Sequence, residues 1–459
     1  MANATHVLIV VQNLPVPLDR RVWMECRALR SAGYDVSVIC PKGPGDAARE
    51  TIEGVRIHRY RPAPVADGAL GYLVEFVYCW LRTAWLSASV WRHRPFDVLQ
   101  ACNPPDTYWA LARLWRRRGV LFVYDQHDLN PELFLSRFGQ PTGLGGRLEL
   151  AGLRWLERRT YRTADHVIST NCSYERIALH RGELGEDAVT VVRSGPDTSV
   201  MRPVRVPAGS PPPTRHRVAY LGIMGPQDDV HLVLELMHEL VHVRGRDDVE
   251  AVLMGFGDCY DDLVRRSSEL GLDDVVTFTG RVGPEVIAEQ LSAATVGVCP
   301  DRKTPLNDLS TMNKTMEYMA YALPSVAFDL METRVSGEDS CLYVPSGDVG
   351  ALADAVAALL DDPELRCTMA RRARRRVSGV LDWRPQAVAY VGVFDRLTGT
   401  EADRDAGLSA PTGLPGLAGL AGLAGQAGPD YVDVDDDEEL RRFVLDRGPR
   451  AAARHRLGV

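Results

Sequence analysis

A polar loop runs directly into an amphipathic helical pattern across residues 307–324, and that helix carries a single carboxylate, Glu317. Pro324 ends the pattern, and a short apolar run follows at 325–328. A helix start exposes backbone N–H groups and the positive end of the helix dipole, and both favour phosphate binding. Nucleotide-binding α/β domains present a helix start to their ligand in this order of elements. The segment therefore predicts a site for a nucleotide diphosphate.

A second dense group of polar side chains, residues 125–132, follows the apolar run at 121–124. It contains His127 between two carboxylates, Asp125 and Asp128. An imidazole can hold or relay a proton near neutral pH, so His127 is the first candidate for catalysis and Asp128 the second. A lone histidine is more often structural. This one, however, lies at a strand end, where parallel sheets bind ligands.

The loop at 12–21, after the first apolar run, allows two interpretations. Asp19 has the residue type and the position to cap the helix that follows it. In the alternative, Asp19 and Arg20 contact substrate, because Arg20 and its neighbour Arg21 could reach an anionic group. Asp308, in the loop before the Glu317 helix, is a third candidate for substrate contact. The capping and binding interpretations stay open at this stage.

Glycine-rich turns follow three further apolar runs, at 193–197, 222–229 and 255–258. Glycine lets backbone N–H groups approach a phosphate closely, which makes Gly225 and Gly257 candidates for the same ligand. Each turn alone is more simply a tight turn. Their common position after strands favours a binding edge.

Short apolar runs alternate with helical patterns before and after a proline-rich stretch, and this alternation predicts two α/β domains with parallel sheets. We expect a Rossmann-like domain at 1–200 that binds the acceptor, a linker at 201–216, and a second Rossmann-like domain at 217–383. A helix at 384–398 then crosses back to the first domain. Two such sheets whose carboxyl edges face each other would enclose a cleft for two substrates.

Composition excludes several classes of protein. A chain of 459 residues is too long for one ordinary core, and a net charge of −8 argues against a nucleic-acid partner. The nine cysteines are scattered and odd in number, as in a reducing compartment, and do not form a zinc motif. Residues 1–11 lack the features of a signal peptide, and no window resembles a membrane span. We expect a cytoplasmic protein that binds no metal.

Residues 71–94 combine tyrosine, phenylalanine and tryptophan with a basic end. The simpler interpretation is a helix that covers the sheet. The alternative is an interfacial helix that docks on a bilayer, which would place the protein at the inner face of the plasma membrane as a peripheral membrane protein.

The chain changes character at 399–459. Glycine recurs every third residue from 413 to 428, and an acidic run follows at 433–439. We expect a flexible linker and a solvated, disordered tail, with a short helical docking element at 440–445.

Four blocks in this order resemble glycosyltransferase family 4, the group 1 glycosyltransferases, over roughly residues 5–398. They are 222–229, 255–258, 278–281 and the most specific one, 313–324. The resemblance implies the GT-B fold and a retaining, metal-independent hexosyltransferase. It implies no cofactor, only a nucleotide diphosphate sugar of UDP or GDP type as donor. The leaving diphosphate would be stabilised by a helix dipole and basic side chains.

Carried over residue by residue, the resemblance places Glu317 on the nucleotide ribose and His127 near the donor sugar. The helix start would face the diphosphate. The full set assigned to the donor is Gly225, Gly257, Arg281, Lys303, Ser310, Thr311, Met312, Asn313, Lys314 and Glu317.

Three departures from the family pattern stand out. Leu309 replaces the usual glutamate eight residues before Glu317, with Asp308 one position off register. Ile223 and Asp228 stand where the family has a phosphate-binding arginine and lysine, and the usual glycine pair after the first strand is replaced at 17–20. The candidate replacement cations are Arg281, Arg302, Lys303 and Lys314.

The leading hypothesis is a retaining glycosyltransferase that acts on a glycan or lipid-linked acceptor in polysaccharide or glycoconjugate biosynthesis. Because the two cations are missing, a non-catalytic GT-B binding protein is the first alternative. A nucleotide-sugar epimerase on the same fold is the second.

Overall fold

The computed structural model describes residues 4–63, 68–205, 211–400 and 430–449. Within this part of the chain, residues up to Ser194 and residues 384–400 form one compact unit, unit 1. Residues from Gly195 to Trp383 and residues 430–449 form a second, unit 2.

Unit 1 contains an eight-stranded sheet in the order β3-β4-β2-β1-β5-β6-β7-β8, parallel except for β3 against β4. The strands are β1 His6–Val10, β2 Asp35–Pro41, β3 Arg49–Ile52, β4 Val55–Tyr60, β5 Val98–Cys102, β6 Leu121–Gln126, β7 His166–Ser169 and β8 Val189–Val191. The helices are α1 Arg20–Ser31, α2 Gly68–His93, α3 Trp109–Arg116, α4 Asn130–Phe138, α5 Leu144–Thr163 and α6 Cys172–Gly182.

Unit 2 contains a six-stranded parallel sheet in the order β11-β10-β9-β12-β13-β14. The strands are β9 His216–Ile223, β10 Val249–Phe256, β11 Val276–Gly280, β12 Val296–Cys299, β13 Ser325–Phe328 and β14 Cys341–Val344. The helices of unit 2 are α7 His231–His238, α8 Tyr260–Glu269, α9 Pro284–Ala293, α10 Asn313–Ala320, α11 Met331–Gly337, α12 Val349–Asp361, α13 Pro363–Arg376 and α15 Asp437–Leu445. Helix α14, Trp383–Thr398, begins at the last residue of unit 2 and otherwise belongs to unit 1.

Both sheets form for the same physical reason. Most of their interior strands are buried along nearly the whole length rather than at alternate positions, as in β1 and β13, which are apolar apart from His6 and Ser325 at their first positions. Such strands are stable only where helices cover both faces, which is the arrangement that parallel βαβ connections produce. The expected α/β fold with two Rossmann-like parallel sheets is confirmed.

The antiparallel strand β3 was not expected from the sequence. It is polar and lies at the edge of the sheet, and it reaches β4 through a tight turn with positive φ at Glu53 and Gly54. An edge strand with one solvated side needs no apolar run, so its pattern gives little signal.

Helix α14 packs on unit 1 through buried polar contacts. The Tyr390 hydroxyl donates to Gln100 Oε1 at 2.6 Å, and the Tyr34 hydroxyl donates to Asp395 Oδ1 at 2.6 Å. Gln100 belongs to the central strand β5, so α14 contacts the middle of the unit 1 sheet.

Residues 430–449 differ from the expected solvated tail. Val434, Leu440 and Val444 are buried against residues of unit 2, including Cys367 and Ala370 of α13. Most carboxylates of the acidic run at 433–439 are exposed, and two of them, Asp437 and Glu439, pair with arginines of unit 2. Arg205 pairs with Asp430 and Glu439, and Arg371 pairs with Asp437. The glycine repeat at 413–428 lies outside the described residues.

The Arg447 side chain anchors this segment. It is 4% exposed and donates to the carbonyls of Ser292, Tyr321 and Ala322, the last two at the end of α10. Burial lowers the pKa of this guanidinium. Because a helix end leaves carbonyls without partners inside the helix, a buried cation there stabilises it.

We expect Arg447→Ala to destabilise unit 2 by about 2–4 kcal/mol, because three buried carbonyls lose their donors. Thermal unfolding of the full chain measures the effect. Arg442→Ala is the matched control, since that side chain is 72% exposed on α15, in the same C-terminal segment, and it should change stability by less than about 0.5 kcal/mol. Equal melting temperatures for Arg447→Ala and wild type would contradict the anchoring role.

Candidate functional site

The carboxyl edge of the unit 1 sheet is organised by Asn103, which follows β5. Its side-chain oxygen accepts from the backbone N–H of His127 at 2.6 Å and of Asp128 at 3.1 Å. Its amide nitrogen donates to the Asp128 carbonyl at 2.7 Å. Asn103 is almost fully buried, so it holds the loop after β6 in one conformation.

The His127 ring rests on a buried ion pair. Its Nε2 lies 2.7 Å from Asp125 Oδ2 and 3.2 Å from Arg21 Nε. Arg21 also contacts Asp125 Oδ1 at 2.8 Å and donates to the Val192 carbonyl and the Ser194 hydroxyl. The Asp125 carboxylate has no exposed surface. The arrangement fixes the orientation of the imidazole.

Electrostatics explain why Asp125 stays ionised. Burial raises its pKa, but attraction to Arg21 and His127 outweighs burial and holds the pKa below its usual range. The neighbouring Glu25 behaves in the opposite way. Burial and the Asp125 charge raise its pKa, and they outweigh the opposing attraction to Arg21.

The side chains of Glu25, Cys102, Asp125 and His127 place ligand atoms within 4.8 Å of one another, a spacing that suits a metal ion. These residues do not fit that role here. The Arg21 guanidinium lies 3.0 Å from Glu25 and contacts Asp125 and His127, so it supplies the positive charge among them.

The other candidates in unit 1 have different environments. The Asp19 side chain accepts from the Val22 N–H at 3.1 Å, so it caps α1 as in the simpler interpretation. Arg20 is half-buried in the first turn of that helix. Arg21 is committed to Asp125 and is not available to an anionic substrate. Burial raises the pKa of Asp128.

In unit 2 the ends of β9 and β10 come very close together. A Cβ added to Gly255 would lie 1.9 Å from the Gly222 carbonyl oxygen. A Cβ added to Gly257, where φ is +154°, would lie 2.6 Å from the Met224 carbonyl oxygen. The two loops therefore require glycine to approach each other, which is a structural role whether or not a ligand binds.

Beneath these glycines lies a buried lysine, Lys314 of α10. Its Nζ is 2.6 Å from Asp301 Oδ1 and 5.5 Å from the centre of the Tyr220 ring. Burial alone would lower the pKa of Lys314, but the Asp301 charge outweighs it and raises the pKa. Lys314 is 8% exposed, so its charge is held by the buried pair with Asp301 and is shielded from solvent.

The remaining candidate cations near these loops are also engaged. Arg302 pairs with buried Asp229 at 2.6 Å, and Lys303 pairs with Asp308 at 3.2 Å. The contact described for Arg281 is with the ring of Phe256, at 5.6 Å. Arg281 is exposed, so it is the candidate cation whose charge no carboxylate neutralises in the described part of the chain.

Ile223 and Asp228, which depart from the family pattern, lie in or next to the loop after β9. Ile223 is 44% exposed at the end of β9. The Asp228 carboxylate accepts from the Gly225 N–H at 3.0 Å. Burial raises the pKa of Asp228 to about 6, although the Lys314 charge opposes this. The edge thus carries a carboxylate where phosphate-binding sites usually carry a cation.

The start of α10 meets the requirements for an anion. Its N-cap residue, Met312, makes no side-chain capping hydrogen bond, and Ser310, Thr311 and Asn313 surround it. Glu317 lies one turn further along the same helix and is 9% exposed. A helix start and a carboxylate one turn apart can bind the phosphate and sugar parts of one nucleotide.

Several residues that matter at these edges were not found from the sequence. The sequence pattern points to Arg21 only as a possible contact for an anionic substrate and to Asp125 only as a neighbour of His127, and it does not point to Asn103, Gln100 or Asp301. A polar residue inside or directly after an apolar strand was the available signal. Gln100 lies within buried β5 and donates to Glu25 and Asp125.

Comparison with known proteins gives two family matches. Residues 18–195 match the model described as "Glycosyl transferase 4-like domain". Residues 215–362 match the model described as "Glycosyl transferases group 1". The two matches fall in unit 1 and unit 2 respectively.

Curated relatives agree with these matches. The chain is 35% identical to an alpha-D-kanosaminyltransferase of Streptomyces kanamyceticus over 158 residues, which are 34% of this chain and 39% of that protein. It is 24% identical to a glycogen synthase of Mycobacterium tuberculosis over 409 residues, 82% of this chain and 90% of that protein.

Solved structures share the fold. A sucrose-phosphate synthase from Thermosynechococcus elongatus superposes with a TM-score of 0.68 at 19% identity, covering 86% of this chain and 100% of that one. Anabaena HepE in complex with UDP-glucose superposes with a TM-score of 0.62 at 16% identity, covering 85% of this chain and 99% of that one.

Asp228 generates a pH-dependent prediction. The pKa of Asp228 is about 6 in the folded protein and lower in the unfolded chain, so the folded protein binds the carboxyl proton more tightly. The buried charge of Asp228 therefore lowers stability above pH 6, and this loss disappears as the pH falls towards 4. Asp228→Asn should therefore raise stability near pH 8 by about 1–3 kcal/mol and have little effect near pH 4. Thermal unfolding at both pH values measures this. Asp262→Asn, at an exposed position, is the control, and an equal gain at both pH values would contradict the assignment.

Proposed function

Because the chain belongs to the group 1 glycosyltransferases and has the GT-B type of fold, we propose that it transfers a hexose from a nucleotide diphosphate sugar to a glycan or lipid-linked acceptor. The observation that carries the proposal is the start of α10, where a helix start without a side-chain cap lies one turn from buried Glu317. The donor is a substrate, and the proposal includes no cofactor.

Each part of the donor has a proposed contact. Glu317 accepts hydrogen bonds from the nucleotide ribose, and the N–H groups at the start of α10 bind the diphosphate. As the bond to the sugar breaks, negative charge grows on the departing diphosphate, and the positive helix end stabilises that charge. HepE, which shares the fold, was solved with UDP-glucose, and this supports a UDP donor.

In unit 1, His127 is the proposed contact for the donor sugar. Its Nε2 faces Asp125 and Arg21, so the orientation of the ring is set before substrate arrives. A preorganised polar group contributes more to transfer than one that must reorient. Transfer is proposed to retain configuration at the anomeric carbon without a metal ion, in polysaccharide or glycoconjugate biosynthesis.

Glu317→Ala and His127→Ala should each lower the rate of transfer or donor hydrolysis by at least about tenfold, equivalent to ~1.4 kcal/mol. A panel of UDP-, GDP- and TDP-sugars supplies the donors, and released nucleotide diphosphate is the readout. Glu285→Ala, on the exposed first turn of α9, is the control and should keep wild-type turnover. If both variants turn over like wild type, the site assignment is wrong.

A second function has its own supporting observation. Ile223 and Asp228 offer no cation to a diphosphate, and Lys314, Arg302 and Lys303 are each paired with a carboxylate. A protein that kept the fold but lost catalysis would have this charge pattern and would bind a glycan or a protein partner.

Calorimetry with UDP and with GDP separates the two functions. A working transferase should bind one of the nucleotides with a Kd of about 1 mM or tighter, the usual range for enzyme substrates, and Arg281→Gln should weaken that binding. The absence of heat with both nucleotides would favour the non-catalytic protein.

A further inference from the structure

Three helices of unit 1, α2, α3 and α5, lie side by side on one face of the sheet. They precede β5, β6 and β7, which are successive neighbours in the sheet, so right-handed connections place all three helices on the same face. Side chains join them. Trp115 Nε1 of α3 donates to Ser87 Oγ of α2 at 3.2 Å, and the rings of Trp109 of α3 and Trp155 of α5 are 5.8 Å apart.

The outer side of α2 is apolar. Val74, Val77, Leu81 and Trp85 are each at least 50% exposed, and their spacing of three and four residues places them on one stripe. The opposite side of α2 carries Cys79, Thr83, Leu86, Ser87 and Val90, which are buried. The helix therefore covers the sheet and still presents an apolar stripe outward. Scattered exposed apolar residues are ordinary, but a continuous stripe marks an interaction surface.

The outer side of α5 adds both apolar surface and positive charge. Leu144 is 75% exposed, Leu148 is 64% exposed and Trp155 is 49% exposed. Four arginines of α5 have no carboxylate partner among the described residues, and the helix carries one exposed glutamate, Glu149. These five side chains together give the outer side of the helix a charge of about +3 at neutral pH. The four are Arg147, Arg154, Arg158 and Arg159.

Three of these arginines line a cavity. Arg147, Arg154 and Arg158 surround a volume of about 780 Å³ together with Gln140 and Trp155. Arg181 also lines it, but Glu132 and Glu157 neutralise that side chain. Guanidinium groups bind phosphate oxygens in a planar, bidentate geometry, so the cavity suits a phosphate group.

We propose that the face formed by α2, α3 and α5 docks on an anionic membrane, with lipid phosphates in the arginine cavity and the apolar side chains at the boundary between headgroups and acyl chains. The positive charge of α5 complements the negative charge of anionic lipids, and it is local, because the chain as a whole has a net charge of −8. The exposed apolar stripe favours a bilayer over a nucleic acid, which offers phosphates without an apolar layer. The proposed attachment is peripheral. Among the described residues, no helix is long and apolar enough to cross a bilayer.

This surface is distinct from the catalytic candidates. None of its residues touches His127 or α10 through a described contact, so the proposal holds whichever donor or reaction the site supports. A failure of nucleotide binding and a failure of membrane binding are consequently separate outcomes.

Vesicle flotation of the full chain tests the proposal. Wild type should float with vesicles that contain phosphatidylglycerol and stay unbound with phosphatidylcholine alone. High salt should weaken the binding, because salt screens exposed charges. The triple variant Arg147→Gln, Arg154→Gln, Arg158→Gln should lower the bound fraction about tenfold or more, since three attractions to anionic lipid are lost.

A charge-matched control separates this surface from general basicity. Arg265→Gln, Arg266→Gln and Arg442→Gln remove three exposed arginines from unit 2, and this variant should bind vesicles like wild type. Leu144→Ser with Leu148→Ser tests the apolar part without changing charge and should also lower binding. Should the α5 triple variant fail to fold, this pair provides the test.

The proposal is overturned if wild type binds neither type of vesicle, or if the two triple variants lose binding equally. It is also overturned if inorganic phosphate, at the ionic strength of a chloride control, displaces the protein from vesicles while the Leu144 and Leu148 substitutions have no effect. That result would identify a soluble phosphate ligand as the occupant of the cavity.

Discussion

Each sheet edge in this protein depends on one buried cation held by one buried carboxylate. In unit 1 the cation is Arg21 and the carboxylate is Asp125, and in unit 2 they are Lys314 and Asp301. Parallel strands end together, so their polar loop residues crowd at one edge with little water. A charge in such a place is costly unless it is paired and hydrogen-bonded. The loops, the imidazole of His127 and the start of α10 are all arranged around these two pairs.

This constraint also determines which charges remain for a ligand. A cation that neutralises a buried carboxylate cannot contribute its full charge to a phosphate. Arg302 and Lys303 are engaged in the same way by Asp229 and Asp308, while Arg281 is not. In the proposed donor site, backbone N–H groups and the helix dipole at α10 are then the main attraction for an anion. Donor binding as proposed depends more on the placement of these groups than on net charge.

Prediction from the sequence worked where the physics is local and regular. Apolar runs and helical periodicity placed the helix that carries Glu317 and the strands of both sheets except β3 and β14, because a parallel strand must be apolar on both faces. It failed for the polar edge strand β3, whose residues carry no apolar pattern. It also missed that the segment with the acidic run packs on unit 2, because the buried residues Val434 and Leu440 are scattered among exposed carboxylates.

The sequence by itself determined the family, the two-domain α/β organisation and the polar loops at the strand ends. These follow from residue types at short spacing, such as the block around Glu317. Only the tertiary structure decided how the charges pair. It turned Arg21 from a candidate ligand for substrate into the partner of Asp125, and it placed Tyr390 against Gln100, 290 residues away in the chain. Pairing depends on distances of a few ångströms between residues far apart in sequence, and no local pattern encodes those distances.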